Sequence, residues 1–189
     1  MKILDKPLWN IKFKILHTYY LRAMDRFMIN YFNGNGLIGV EIGVCSGKHA
    51  DAMLHNLNIN KLYLIDPYIY YDGISNVFDF NKCEINAKKL LKPFKNKIEF
   101  IKEYSEDAII RIPDNVDFVY IDGNHNYEYV MKDIVLYWDK IKKGGILGGH
   151  DFSTDFPDVI NAVLKFTLKN NLKLKGHTWS NDWFVIKPI

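Results

Sequence analysis

Cysteine is scarce in this chain. There are two, Cys45 and Cys83, far apart and outside any C-x-x-C pair. That excludes a disulfide framework and a thiolate metal motif, and makes a reducing compartment the simpler reading. Long apolar runs are also missing. The first residues carry Lys2, Asp5, Lys6, Lys12 and Lys14, so they read as neither a signal peptide nor a membrane span. A cytoplasmic protein with no membrane partner is expected. Concentrated charge of one sign is absent as well. The net charge is +3 and the lysines are scattered, which is a solvated surface rather than a nucleic-acid-binding face. Repeats, low-complexity tracts and linkers do not occur.

What is present is core. The apolar fraction of 48% over 189 residues is enough for one well-packed domain and argues against disorder. The most informative stretch runs from Leu37 to Lys48. An apolar, β-branched run ends in Glu41 and is followed by Gly43 and Gly47. Then Ala50, Met53, Leu54 and Leu57 recur at helical spacing. This is strand, glycine turn, helix: the opening unit of a nucleotide-binding α/β sheet, with the ligand at the helix N-terminus.

Two common readings of that turn fail. A dinucleotide fingerprint starting at Gly43 would need glycine where Cys45 and Lys48 stand. A P-loop would need glycine at Ile42 and a hydroxyl at His49. What remains is E-x-G-x-x-x-G, which resembles motif I of the class I S-adenosylmethionine-dependent methyltransferases. A second strand over Lys61–Ile65 ends in Asp66, and in a βαβ unit an acid at that tip reaches the ribose hydroxyls. An oxidoreductase binding NAD or another nucleotide on the same fold is the rival reading, together with a cofactor-binding protein that has no activity.

The remaining chain supplies the other units. Residues 1–35 are apolar on more than one helical face, so they read as an N-terminal helical extension. It either packs on the sheet or serves as a lid or a contact between copies in a homo-oligomer. Residues 67–80 form a tyrosine-rich loop at the ligand-binding end of the sheet. A helix is expected over Glu84–Leu91, a third strand over Lys97–Lys102, and a short helix capped by Ser105. The fourth strand, Val116–Ile121, ends in Asp122. A helix follows with Tyr127, Val130, Met131, Ile134, Trp138 and Ile141 on one face. The fifth strand, Gly144–Gly149, ends in His150 and Asp151. A further helix and a terminal antiparallel hairpin complete the chain. The fold class is α/β: a three-layer, Rossmann-like sheet, mostly parallel, over residues 36–189.

The block from Ile121 through Asp122, Gly123, His125, Tyr127 and Glu128, then Gly144 and Gly145, then His150 and Asp151 resembles one methyltransferase subgroup. It includes the macrocin O-methyltransferases and cephalosporin-hydroxylase-like proteins. The resemblance covers about residues 36–188. It implies S-adenosylmethionine as methyl donor and a small-molecule acceptor, a sugar or glycan-like one, methylated at oxygen. It also implies donor contacts from Glu41, Gly43, Gly47, Asp66, Ser105 and Asp122, with Ser105 flanking the adenine. Several members of the group bind magnesium through acids after the fourth and fifth strands. Here Asp122, His150 and Asp151 are the corresponding set; magnesium prefers oxygen ligands, so the imidazole leaves a softer divalent metal, or no metal, as alternatives to magnesium. An alcohol acceptor must lose a proton. His125 is the first candidate base, since imidazole titrates near neutrality, and Asp122 is the second. His17, His49, His55 and His177 lack such surroundings and read as packing or surface residues.

Overall fold

The computed structural model describes residues 20–70, 79–177 and 181–189. Much of the predicted N-terminal stripe (1–19), most of the tyrosine-rich loop (71–78) and the end of the first hairpin strand with the start of its turn (178–180) lie outside them.

The described chain runs α1 (Ala23–Tyr31), β1 (Leu37–Ile42), α2 (Lys48–Asn56), β2 (Ile59–Ile65), α3 (Phe80–Leu90), β3 (Ile98–Ile101) and α4 (Ser105–Ala108). It continues through β4 (Val116–Ile121), α5 (Tyr127–Lys140), β5 (Ile141–Gly149), α6 (Pro157–Lys169), β6 (Lys175–His177) and β7 (Asp182–Ile186). The seven strands form one sheet in the order β3-β2-β1-β4-β5-β7-β6. Strands β1 to β5 pair in parallel, and β7 is antiparallel to both β5 and β6. No described helix is long and apolar enough to cross a membrane.

Alternation along each strand divides the core into two layers. Phe118 and Tyr120 pack with Met24 and Met28 of α1, Met53 of α2 and Ala87 of α3. Val119 and Ile121 point the other way, against Val130 and Ile134 of α5 and Val159 and Val163 of α6. A period of two along the strands and of 3.6 along the helices gives three layers. The strand order reverses between β1 and β4. In an open parallel sheet the crevice beyond those two strand ends is where a ligand sits.

Two differences from expectation bear on the site. The apolar stripe drawn through Ile141 does not continue as helix: α5 stops at Lys140 and β5 begins at Ile141, paired with Val116. A register shift between Val116 and Phe118, with Gly144 at φ +74°, lets the strand bend before its straight part. Ser105 is not the cap of α4. Tyr104 holds that position, and Ser105 is the first helical residue.

Candidate functional site

A cleft of about 400 Å³ opens at the carboxyl ends of β1, β2 and β4. Its floor is the turn after β1. Gly43 has φ +86°, and a Cβ there would meet the backbone carbonyl of Asp122 at 2.0 Å. Gly47, the N-cap of α2, has φ +77°, and a Cβ there would press on Ala87 at 3.1 Å. Both glycines are required by left-handed backbone and by neighbouring protein atoms. The N–H groups of the first turn of α2 are left free of helical partners, which favours a ligand's negative or lone-pair atoms.

Asp66 fixes this turn. Its Oδ2 accepts from the amides of Val44 at 2.9 Å and Cys45 at 2.8 Å, and its Oδ1 accepts from the Tyr68 amide at 2.8 Å. Burial raises its pKa, and the three amides oppose that rise. The two cysteines, distant in sequence, meet here as free thiols with sulfurs 3.1 Å apart. Burial and the facing Cys83 push the Cys45 thiol up to about 12.

Glu41, at the end of β1, is 1% exposed and lines the cleft. His49 Nδ1 lies 2.9 Å from its Oε1. The other ring nitrogen, Nε2, lies 2.8 Å from Asp25 Oδ2 on α1. Burial works against charging His49, but the two carboxylates outweigh it and raise its pKa to about 10. The ring is therefore an imidazolium donating to both acids, with Tyr120 4.3 Å away beneath it. Glu41 Oε2 and Asp25 Oδ1 are buried and have no hydrogen-bond partner among the described residues.

The opposite wall carries the second constellation. Asp122, His125 and Asp151 bring one ligand atom each within 4.8 Å of one another. His125 Nε2 is 2.9 Å from Asp151 Oδ2 and 3.9 Å from Asp122 Oδ1, and its ring meets Phe156 edge-on at 4.6 Å. Burial opposes protonation of His125, yet Asp122 and Asp151 raise its pKa to about 9. Asp151 is lowered in turn: burial is outweighed by the attraction of the His125 and His150 rings. His150, expected as a metal ligand, lies beside Asp122 and Asp151, with Nδ1 3.8 Å from Asp122 Oδ1. Arg22 Nη1 is 2.8 Å from its Nε2, and its Nδ1 is 3.0 Å from Asp151 Oδ1. Guanidinium only donates, so Nε2 accepts and Nδ1 carries the proton.

At the far end of the cleft, Ser105 Oγ donates to Asp133 Oδ1, and the Tyr137 hydroxyl donates to the Ser105 carbonyl at 2.8 Å. Burial lifts the Asp133 carboxyl to about 7, partly offset by the Ser105 hydroxyl.

All six residues expected to contact the donor, together with His125 and Asp151, lie in or at the edge of this one crevice. Arg22 and Asp133, which line it, and Asp25, which stands behind His49, were not expected there, and His49, expected as a packing or surface residue, lines it too. Only Asp133 left a local signal, an acid set among Val130, Ile134 and Tyr137 on the buried face of α5.

Comparison with known proteins adds the following. A family model described as "Methyltransferase domain" matches residues 40–152. An uncharacterised protein of Acanthamoeba polyphaga mimivirus is 32% identical over 158 residues. That alignment covers 79% of this chain but 66% of the viral protein, so the chain spans about two thirds of its relative's length. An S-adenosylhomocysteine-bound methyltransferase from Podospora anserina has a similar structure, with TM-score 0.65 and 9% identity over 100% of this chain and 98% of that one. The O-methyltransferase NovP is similar at TM-score 0.63 and 17% identity, over 88% and 78% of the two chains.

Proposed function

The chain belongs to the methyltransferase-domain family, and on that premise we propose that it transfers a methyl group from S-adenosylmethionine to an oxygen of a small, sugar- or glycan-like acceptor. The observation that carries this is the pairing of an unpartnered buried carboxylate oxygen, Glu41 Oε2, with a glycine turn at the switch point of the sheet. A carboxylate oxygen in that position suits the donor's ammonium group. Among the described residues Asp66 Oδ1 has one protein donor, which leaves acceptor capacity for a ribose hydroxyl. Ser105 and Asp133 stand where the purine would end.

The donor, when bound, supplies the electrophilic methyl carbon on its sulfonium. The protein's part is to align the acceptor oxygen in line behind it and to take the acceptor's proton. His125 serves as base. Asp151 and Asp122 orient its ring, and Phe156 shields one edge.

Asp122, His125 and Asp151 also form a donor set that fits a divalent cation, two carboxylate oxygens and an imidazole suiting manganese or zinc as well as magnesium. Such a cation would lower the acceptor hydroxyl's pKa, and His125 would then be a ligand rather than the base.

Titration calorimetry separates these ideas. Binding of S-adenosylhomocysteine without binding of NAD supports the donor; NAD binding overturns it. Manganese or magnesium binding that is lost in Asp122→Ala supports the cation site, and binding that survives the change removes it.

A further inference from the structure

Two basic groups beside the glycine turn stand among acids. Arg22 and His49 are set against Asp25, Glu41, Asp122 and Asp182. The charge of Arg22 is favoured by Asp122, Asp182 and Asp25, and one of its nitrogens is held by His150. His49 is shared between Asp25 and Glu41. Burial raises the Glu41 pKa against the His49 bond that lowers it, and among the described residues Glu41 Oε2 is a buried acceptor with no donor. A buried charge that lacks a partner is costly, so this arrangement suits the arrival of a cation. Of the two oxygens left over, Asp25 Oδ1 and Glu41 Oε2, the second belongs to the residue that lines the cleft. Asp25 belongs to α1, whose other contacts fix it on the sheet: its Oδ2 also accepts from the Arg22 amide at 2.8 Å, while Met24 and Met28 are fully buried.

We propose that His49 and Asp25 are positioning residues for the amino-acid end of the methyl donor: His49, clamped by Asp25, holds one oxygen of Glu41 and leaves the other for an α-ammonium group. This rests on the S-adenosyl reading of the cleft. It adds that the leading helix, which lies before the matched family segment, takes part in donor recognition. Neither residue touches the donor. Both act through Glu41.

Two ligands isolate the effect. S-adenosylhomocysteine carries the ammonium, and 5′-methylthioadenosine has the same nucleoside and a thioether but no amino-acid group. Both are titrated into the full-length wild type, Asp25→Asn and His49→Gln. A hydrogen bond to a charged group corresponds to roughly a 10–100-fold change in affinity. The expected result is that loss for S-adenosylhomocysteine in both variants, with methylthioadenosine affinity unchanged. Equal weakening of the two ligands would mean general distortion and would overturn the proposal, as would undiminished S-adenosylhomocysteine binding. Should a variant fail to fold, the wild type answers alone. Its His49 imidazole nitrogen resonances are expected to move on adding S-adenosylhomocysteine and to stay put with methylthioadenosine, and no movement with either overturns it. Wild type that binds neither ligand removes the adenosyl reading itself, and this inference with it. Binding of methylthioadenosine as tight as that of S-adenosylhomocysteine removes the ammonium contact at Glu41 and this inference with it, and leaves the adenosyl reading of the cleft standing.

Discussion

Single residues decide what the cleft does at a given pH. A base must be neutral to accept a proton, and the carboxylates around His125 hold it charged up to about pH 9. If His125 is the base, kcat/KM should rise about tenfold per pH unit below that value and level off above it. A profile flat from pH 6 to 9 would rule the role out. His125→Ala should lower turnover by about 10²–10⁴-fold and leave donor affinity unchanged. Asp133 shows the opposite sign. Its folded pKa is raised from 3.8 to about 7, so the native state binds more protons than the unfolded state between those values. Stability is lost as pH rises through that window, and above it the buried carboxylate costs on the order of a few kcal/mol. Asp133→Asn keeps an acceptor for Ser105 and should therefore raise the urea midpoint at pH 8 while changing little at pH 4. An equal shift at both values would show that charge is not the cause.

Elements explain why those residues meet. The tips of β1 and β4 approach so closely that Gly43 has no room for a methyl group. Gly43→Ala combines that clash with a strained positive φ, and a loss of about 2 kcal/mol or more in chemical denaturation is expected, together with weakened donor binding. A variant as stable as wild type would mean that the strand tips can separate freely. The element order was legible in the sequence because strand and helix periods are local. The end of α5 was not. Ile141 extends the apolar stripe of the helix, and only its pairing with Val116 makes it strand. Ser105 likewise looked like a cap. Its hydroxyl is drawn instead to Asp133, 28 positions away.

At the scale of the molecule, the sheet and its cleft were written in local pattern, whereas the charge network was not. Asp25 and His49 are separated by 24 positions and Arg22 and His150 by 128. No periodicity links such pairs, and a histidine after a glycine turn gives no sign of the acid that will charge it. The network has a global consequence. His49 is 8% exposed and its pKa rises from 6.5 to about 10 on folding. Its contribution is complete below pH 6.5 and is lost as pH climbs through 10. Urea unfolding of wild type should therefore show stability falling across that range. In Asp25→Asn, where one of the two attractions is gone, the decline should be shallower; parallel curves would assign the decline to other groups.

The clamp between α1 and the end of β1 also makes a statement about ancestry. A histidine buried opposite a lone carboxylate and a lone aspartate buried without its cation are both poor intermediates, so the two positions cannot readily drift one at a time. Across kindred chains, an acid at the place of Asp25 and an imidazole at the place of His49 should be gained and discarded together. The front of the polypeptide and the mouth of its sheet would then be inherited as a single unit.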